Sequence, residues 1–140
     1  MVPWLPARHE SVNRLLELRA TLYADYLLAM EETGRWLLQV WSTAEASERL
    51  RAAHAAFDGC GLGGARQKIH VLAPASTVEA ADAVFHGLRG ARDFVATADQ
   101  HDSDSLHVFR EEVGALRDVF QEAARNDVRA LLAGSARWTV

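Results

Sequence analysis

The feature that most constrains this chain is an apolar stripe at helical spacing that runs through residues 12–41. Apolar residues recur there every three or four positions, which predicts one long amphipathic helix. The stripe comprises Val12, Leu15, Leu16, Leu22, Tyr23, Tyr26, Leu27, Met30, Trp36, Leu37, Val40 and Trp41. Gly34 interrupts the stripe at a cost of about 1 kcal/mol relative to alanine. Because the stripe keeps its phase across Gly34, we expect the helix to continue through it.

Three further segments, residues 46–57, 78–98 and 106–132, carry apolar faces at the same spacing. Ser42 with Thr43 and Ser76 with Thr77 supply capping signals before the first two segments. Four amphipathic helices joined by short loops bury their stripes most simply against one another. The sequence therefore predicts an all-α fold, an antiparallel up-down four-helix bundle with a long first helix.

Two breaks separate the later segments. Residues 58–64 hold four of the nine glycines and predict a loop that ends a helix, and they match neither GxGxxG nor GxxxxGK[ST]. Residues 99–105 form a second, polar break. Between the glycines and the third segment, residues 68–73 contain the only cluster of β-branched side chains. A lone strand there would lack a partner, so we favour helix or coil.

Composition supports the helical prediction, because the chain of 140 residues contains 25 alanines and a single isoleucine. This length suits one domain, and we assign residues 1–140 to it, with residues 1–8 and 135–140 expected to fray. A net charge of −4 disfavours nucleic-acid binding, which needs clustered cations. One cysteine, no targeting segment and no long apolar run predict a cytoplasmic protein without a transmembrane segment. We expect no cofactor.

Aromatic side chains concentrate on the first segment, which suggests a surface for a partner. The candidate interface residues are Tyr23, Tyr26, Arg35, Trp36 and Trp41, since tryptophan, tyrosine and arginine are enriched in binding hot spots. Packing in the core is the default explanation for the same side chains. The first hypothesis is therefore a non-enzymatic bundle that acts through contact with another protein or a second copy of itself.

The densest group of potential metal ligands lies around the second break. Asp104, His107 and Glu111 recur at one-turn spacing and share a helix face, with Asp99, His101 and Asp102 just before them. The group matches neither a calcium-binding loop nor half of a di-iron site. A solvated turn whose aspartates cap the last helix is the alternative explanation.

The second hypothesis is a bundle that binds a small molecule or a metal at a site between helices. Such a bundle could also be an enzyme. Trp36, Trp41, His86 and His107 would line that site. His54 with Asp58 and Asp82 with His86 also have the i, i+4 spacing of a hydrogen-bonded pair. We interpret these histidines as structural, because no nucleophile lies convincingly beside either pair.

Short stretches of the chain carry a resemblance to a known group. They are Arg19 with residues 22–27, Ile69 with residues 72–74, and residues 78–81. On these residues the chain resembles small uncharacterised α-helical proteins that are common in actinobacteria. The resemblance implies no reaction and no catalytic residue. Members of that group often carry a hydrophobic anchor before the first helix, and we expect none here.

Overall fold

The computed structural model describes residues 4–99 and 102–136, and these residues form α-helices and no strand. The helices are α1 (Trp4–Thr43), α2 (Arg49–Gly59), α3 (Leu62–Leu72), α4 (Ala75–Thr97) and α5 (Ser103–Ala136). The all-α prediction is confirmed. As expected, α1 continues through Gly34, and its 40 residues span about 60 Å at 1.5 Å per residue.

The helices form an up-down bundle in which α2 and α3 follow one another as a single arm beside α1. At the start of this arm, Arg49 donates to the carbonyl of Ala98 just after α4, at 2.6 Å. At its end, the carbonyl of Leu72 accepts from Arg19 Nε of α1, at 2.8 Å. The four-helix bundle is therefore confirmed, with a correction: its second arm is divided into two helices.

The division falls at Gly61, whose φ of 75° lies in the left-handed region that glycine adopts without strain. The predicted loop over residues 58–64 is wrong in extent, because α3 already begins at Leu62. Leu62 and Ile69 lie seven positions apart on α3, and both are fully buried. Their burial anchors α3 against the bundle and offsets the low helix propensity of the glycines. Residues 68–72 are helical, one of the two states that we favoured.

The capping signals mark helix boundaries without acting as caps. The hydroxyls of Ser42 and Thr43 donate to the carbonyls of Leu38 and Gln39 within α1, at 2.9 and 2.7 Å. Neither α2 nor α4 has a side-chain cap, and Thr77 is fully buried in the first turn of α4. Hydroxyls at a boundary can bond backwards to a carbonyl as well as forwards to an N–H, and those of Ser42 and Thr43 bond backwards.

The core consists of two clusters stacked along the bundle. The larger cluster has Tyr26 and Phe120 at its centre, and the smaller one joins Leu37 and Trp41 of α1 to α2 and α4. Aromatic contacts tie both clusters to α5: Tyr26 meets Phe120 edge-on at 5.0 Å between ring centroids, and Phe94 meets Phe109 at the same distance.

No helix within residues 4–99 and 102–136 has an apolar stretch long enough to cross a bilayer. Because α1 begins at Trp4 and α5 ends at Ala136, the predicted frayed segments fall partly within helices. Fraying itself stays a prediction.

Candidate functional site

A groove of about 480 Å³ runs between α1 and α5, with α4 beneath it. It is lined by Met30, Glu31, Gly34, Arg35, Leu37, Leu38, Leu88, Ala91, Val95, Leu106, Phe109, Arg110, Val113, Gly114 and Arg117. Met30 and Leu88 belong to the larger core cluster, and Leu37 and Val95 to the smaller one. The groove therefore opens where the two clusters part, and most of its lining is apolar.

Two glycines inside helices, Gly34 on α1 and Gly114 on α5, face open space in this groove. A Cβ built at either position would meet no atom within 4 Å. By contrast, a Cβ at Gly87 of α4 would lie 2.6 Å from Leu116 Cδ1, so Gly87 lets α4 and α5 approach closely. Glycine inside a helix costs about 1 kcal/mol relative to alanine. Packing within the chain explains Gly87 but gives no reason for Gly34 or Gly114.

The Gly34→Ala variant is expected to be more stable than the wild type by about 0.5–1 kcal/mol, because alanine restricts the unfolded chain and meets no clash. Urea denaturation followed by circular dichroism measures this gain. Gly87→Ala is the matched control, since its Cβ would press on Leu116, and it should gain less or lose stability. A Gly34→Ala variant that is less stable than the wild type would contradict an open groove at this position.

Charged side chains stand at the edges of the groove. Arg35 and Arg110 are exposed and lie on opposite walls, and Arg117 is half-buried near one end. Glu31 is the acidic residue among the lining side chains. Apart from these groups the lining offers no side chain that could act as a nucleophile or a neutral-pH proton carrier.

The predicted interface residues separate into two groups. Tyr23, Tyr26 and Trp41 are buried within the single chain, at 4%, 0% and 8% exposure, so they form core and leave no surface for a partner. The stripe spacing that suggested an interface also positions these rings against α4 and α5. Arg35 and Trp36 reach solvent, and Arg35 lines the groove. A partner at these two residues stays a prediction.

The predicted metal ligands are not assembled. His107 Nε2 and Glu111 Oε1 lie 3.1 Å apart as an exposed pair on α5. In the described part of the chain, no group of three or more His, Cys, Asp or Glu side chains could hold a metal ion. Asp104 lies exposed in the first turn of α5, and His101 lies outside the described residues.

The site of the second hypothesis stays a prediction. None of Trp36, Trp41, His86 and His107 lines the groove. Asp82 pairs with His70 and Arg66 of α3, at 2.6 and 2.7 Å, and so the predicted pairing with His86 is wrong.

Asp82 illustrates a contact between helices that i, i+4 spacing could not reveal. Although burial alone would raise the pKa of Asp82, hydrogen bonds from Arg66 and His70 lower it. Arg66 also lies over the ring of Phe85, 4.2 Å from its centroid. The group fastens α3 to α4, and none of its side chains lines the groove.

A second polar group joins the middle of α1 to the C-terminal part of α5. Asp127 of α5 accepts from Arg19 Nη1 at 2.9 Å and from the hydroxyl of Tyr23. Arg19 also donates to Leu72, so the group holds α1, α3 and α5 together. Thr77 Oγ1 is buried beside Tyr23 of this group. Because each carboxylate oxygen of Asp127 accepts a hydrogen bond, from Arg19 and from Tyr23, we interpret the group as a structural lock.

Both tyrosines of the chain, Tyr23 and Tyr26, should resist ionisation while the protein is folded. Burial, and then the hydrogen bond to Asp127, raise the pKa of Tyr23, and burial raises the pKa of Tyr26. The unfolded chain, with tyrosine pKa values of about 10, loses these protons first. Their contribution to stability is therefore complete below about pH 10 and is lost as the pH rises above it.

We expect tyrosinate absorbance to increase only as helical circular dichroism is lost in an alkaline titration. Tyrosinate absorbance that increases near the ordinary tyrosine pKa while helix content is intact would show that these rings are accessible, contrary to the structure.

A smaller cavity of about 340 Å³ lies between α1 and the α2–α3 junction. Its lining mixes apolar side chains with Asp25, Glu32 and Lys68, and includes the thiol of Cys60. That thiol donates to the carbonyl of Ala56 at 3.3 Å. With charges of both signs and no unpaired buried group among the described side chains that line it, this cavity indicates no particular ligand.

The groove itself was missed by reasoning from the sequence. In the sequence, Gly34 interrupts a stripe that keeps its phase, and Gly114 lies within the last apolar stripe without a turn signal around it. The signal that could have indicated the groove was a glycine inside each of the two longest stripes, in a chain that otherwise uses alanine as its small residue. A scan with protein-family models, a search of the curated proteins and a search of the solved structures each found no match to this chain.

Proposed function

We propose that the protein is a non-enzymatic binding module that contacts another protein through the groove between α1 and α5. The observation that carries this proposal is the pair of open glycines, Gly34 and Gly114, on opposite walls of the groove. Each lowers the stability of its helix, and neither is required by packing within the chain. A partner that fills the groove would explain why Gly34 and Gly114 carry no side chain, because a side chain there would occupy the partner's place.

The chemistry of the groove supports binding rather than catalysis. Its side chains are aliphatic or aromatic, with three arginines and Glu31 at the edges. Exposed Trp36 follows Arg35 on the same helix, and both residue types are enriched where binding energy concentrates. A free thiol at Cys60 is compatible with a reducing compartment, and we propose that the contact is made in the cytoplasm.

A displayed library of helical peptides tests the proposal on the full chain. Each peptide carries apolar residues at positions i, i+3, i+4 and i+7, with all flanking positions randomised, because an apolar row of this kind is how helices enter grooves. Selected peptides are then measured against Gly114→Leu, which places a side chain in the groove. Gly134→Leu is the matched control, because Gly134 lies on the same helix, faces open space and does not line the groove.

We expect to select peptides whose affinity is about tenfold or more lower for Gly114→Leu than for the wild type, a difference of about 1.4 kcal/mol. The affinity of the same peptides for Gly134→Leu should be unchanged. Circular dichroism of both variants confirms that they fold. A library that yields no peptide with this dependence would contradict the proposed function.

A further inference from the structure

We infer that the occupant of the groove is an amphipathic helix of a partner protein whose flanks carry carboxylates. This inference rests on the proposed function and specifies the chemistry of the partner. Three properties of the groove support it: arginines without ion pairs, a shielded nitrogen that lacks an acceptor, and an open apolar trough.

The first property is local positive charge on an acidic protein. The chain carries a net charge of −4, but three arginines and one glutamate line the groove. Among the described residues, neither Arg35 nor Arg110 forms an ion pair. Other arginines are paired within the chain: Arg19 with Asp127 and Arg66 with Asp82. Arg35 and Arg110 are therefore free to pair with carboxylates of a partner, and a partner with carboxylates there would complement the positive charge of the groove.

The second property concerns Arg117, at the end of the groove. Its Nε is shielded from solvent and has no hydrogen-bond partner. The carboxylate of Asp118 lies 3.8 Å away, too far for a hydrogen bond. A shielded donor without an acceptor is unfavourable, although the Arg117 side chain as a whole is 42% exposed. A carboxylate brought into this end of the groove could reach the Arg117 guanidinium.

The third property is the shape of the trough. The wall on α5 extends over residues 106–117, about 17 Å at 1.5 Å per residue, which matches about three turns of a helix. Leu88, Ala91 and Val95 of α4 line its base at helical spacing. Arg35 and Arg110 remain exposed on the two sides. An occupant would therefore bury one apolar face and keep its other face in solvent, as an amphipathic helix does and as an enclosed small molecule does not.

The experiment compares two peptide libraries with the same apolar row, one with glutamate and aspartate at the flanks and one with lysine and arginine. Both are selected on the full chain and on Arg35→Glu/Arg110→Glu. The matched control is Arg89→Glu/Arg129→Glu, which reverses two exposed charges that do not line the groove. Since Arg35 and Arg110 form no ion pair in the described chain, their reversal should leave the fold intact, which circular dichroism checks.

We expect acidic peptides to bind the wild type, to lose about tenfold or more in affinity on Arg35→Glu/Arg110→Glu, and to bind the control variant as before. Their binding should also weaken as salt is raised. Basic peptides should prefer the charge-reversed variant. Groove-dependent peptides without this preference would overturn the inference and leave the proposed function standing, whereas the absence of any groove-dependent peptide would overturn both.

Two other occupants are separate outcomes. Sedimentation that shows a dimer of the wild type and a monomer of Gly114→Leu would identify a second copy of this chain as the occupant and overturn the inference. Dodecanoate, used as a probe, could bind the wild type and not Gly114→Leu while no peptide binds. That result would identify an amphiphilic carboxylate as the occupant of the groove and would also overturn the inference.

Discussion

Replacing Phe120 by alanine is expected to lower the free energy of unfolding by about 3–5 kcal/mol, the usual cost of removing a buried phenylalanine side chain. Phe120 is fully buried at the centre of the larger core cluster. Its ring meets Tyr26 edge-on at 5.0 Å and Tyr23 at 6.0 Å between centroids. The variant loses both contacts and leaves a cavity between α1 and α5.

Urea denaturation of Phe120→Ala measures this loss of stability. If the bundle no longer forms, the denaturation curve will have no folded baseline. The matched control is Val119→Ala on the same turn of α5, because Val119 is 58% exposed. It should change stability by less than about 0.5 kcal/mol. Equal losses in the two variants would show that Phe120 is not the contact that fastens α5 to α1.

The Asp127→Ala variant is expected to lose about 3 kcal/mol of stability, because it removes one partner from a largely buried charge pair. The Asp127 side chain is 7% exposed, and its loss leaves the Arg19 charge without a carboxylate and the Tyr23 hydroxyl without its acceptor. An unpaired charge in this position costs more than the pair contributes.

A double-mutant cycle with Asp127→Ala and Arg19→Met separates the pair from its surroundings. We expect the double variant to be more stable than the sum of the two single losses predicts, since it leaves no unpaired charge. Asp118→Ala is the control, because Asp118 is exposed and lies 3.8 Å from Arg117, and it should lose less than about 0.5 kcal/mol. Strict additivity of Asp127→Ala and Arg19→Met would contradict the lock between α1 and α5.

The confirmed fold prediction and the burial of several candidate interface residues have one physical source. Helical spacing identifies which side chains face inward, and so the stripe through Tyr26 and Trp41 predicted α1 correctly. The same spacing does not say whether a neighbouring helix of the same chain covers those rings. The interface prediction for Tyr23, Tyr26 and Trp41 needed that information, and all three side chains are buried in the single chain.

Contacts between helices were beyond prediction for a related reason. Spacing along one helix suggested that Asp82 pairs with His86, whereas its partners, Arg66 and His70, lie on α3. The glycine-rich segment posed the opposite problem, since local propensity indicated a loop where burial of Leu62 and Ile69 supports a helix. Tertiary packing overrides propensities of this size, because burying one such side chain contributes about 1.5–3 kcal/mol.

The sequence by itself determined the helical class, the long first helix and its passage through Gly34, because periodicity and alanine content are properties of single segments. Only the tertiary structure decided which faces remain uncovered. α1 and α5 come together around Phe120 and Asp127 but leave a groove at Gly34 and Gly114, with unpaired arginines at its edges. A groove is defined by the distance between two helices, and that distance follows from contacts far apart in the chain.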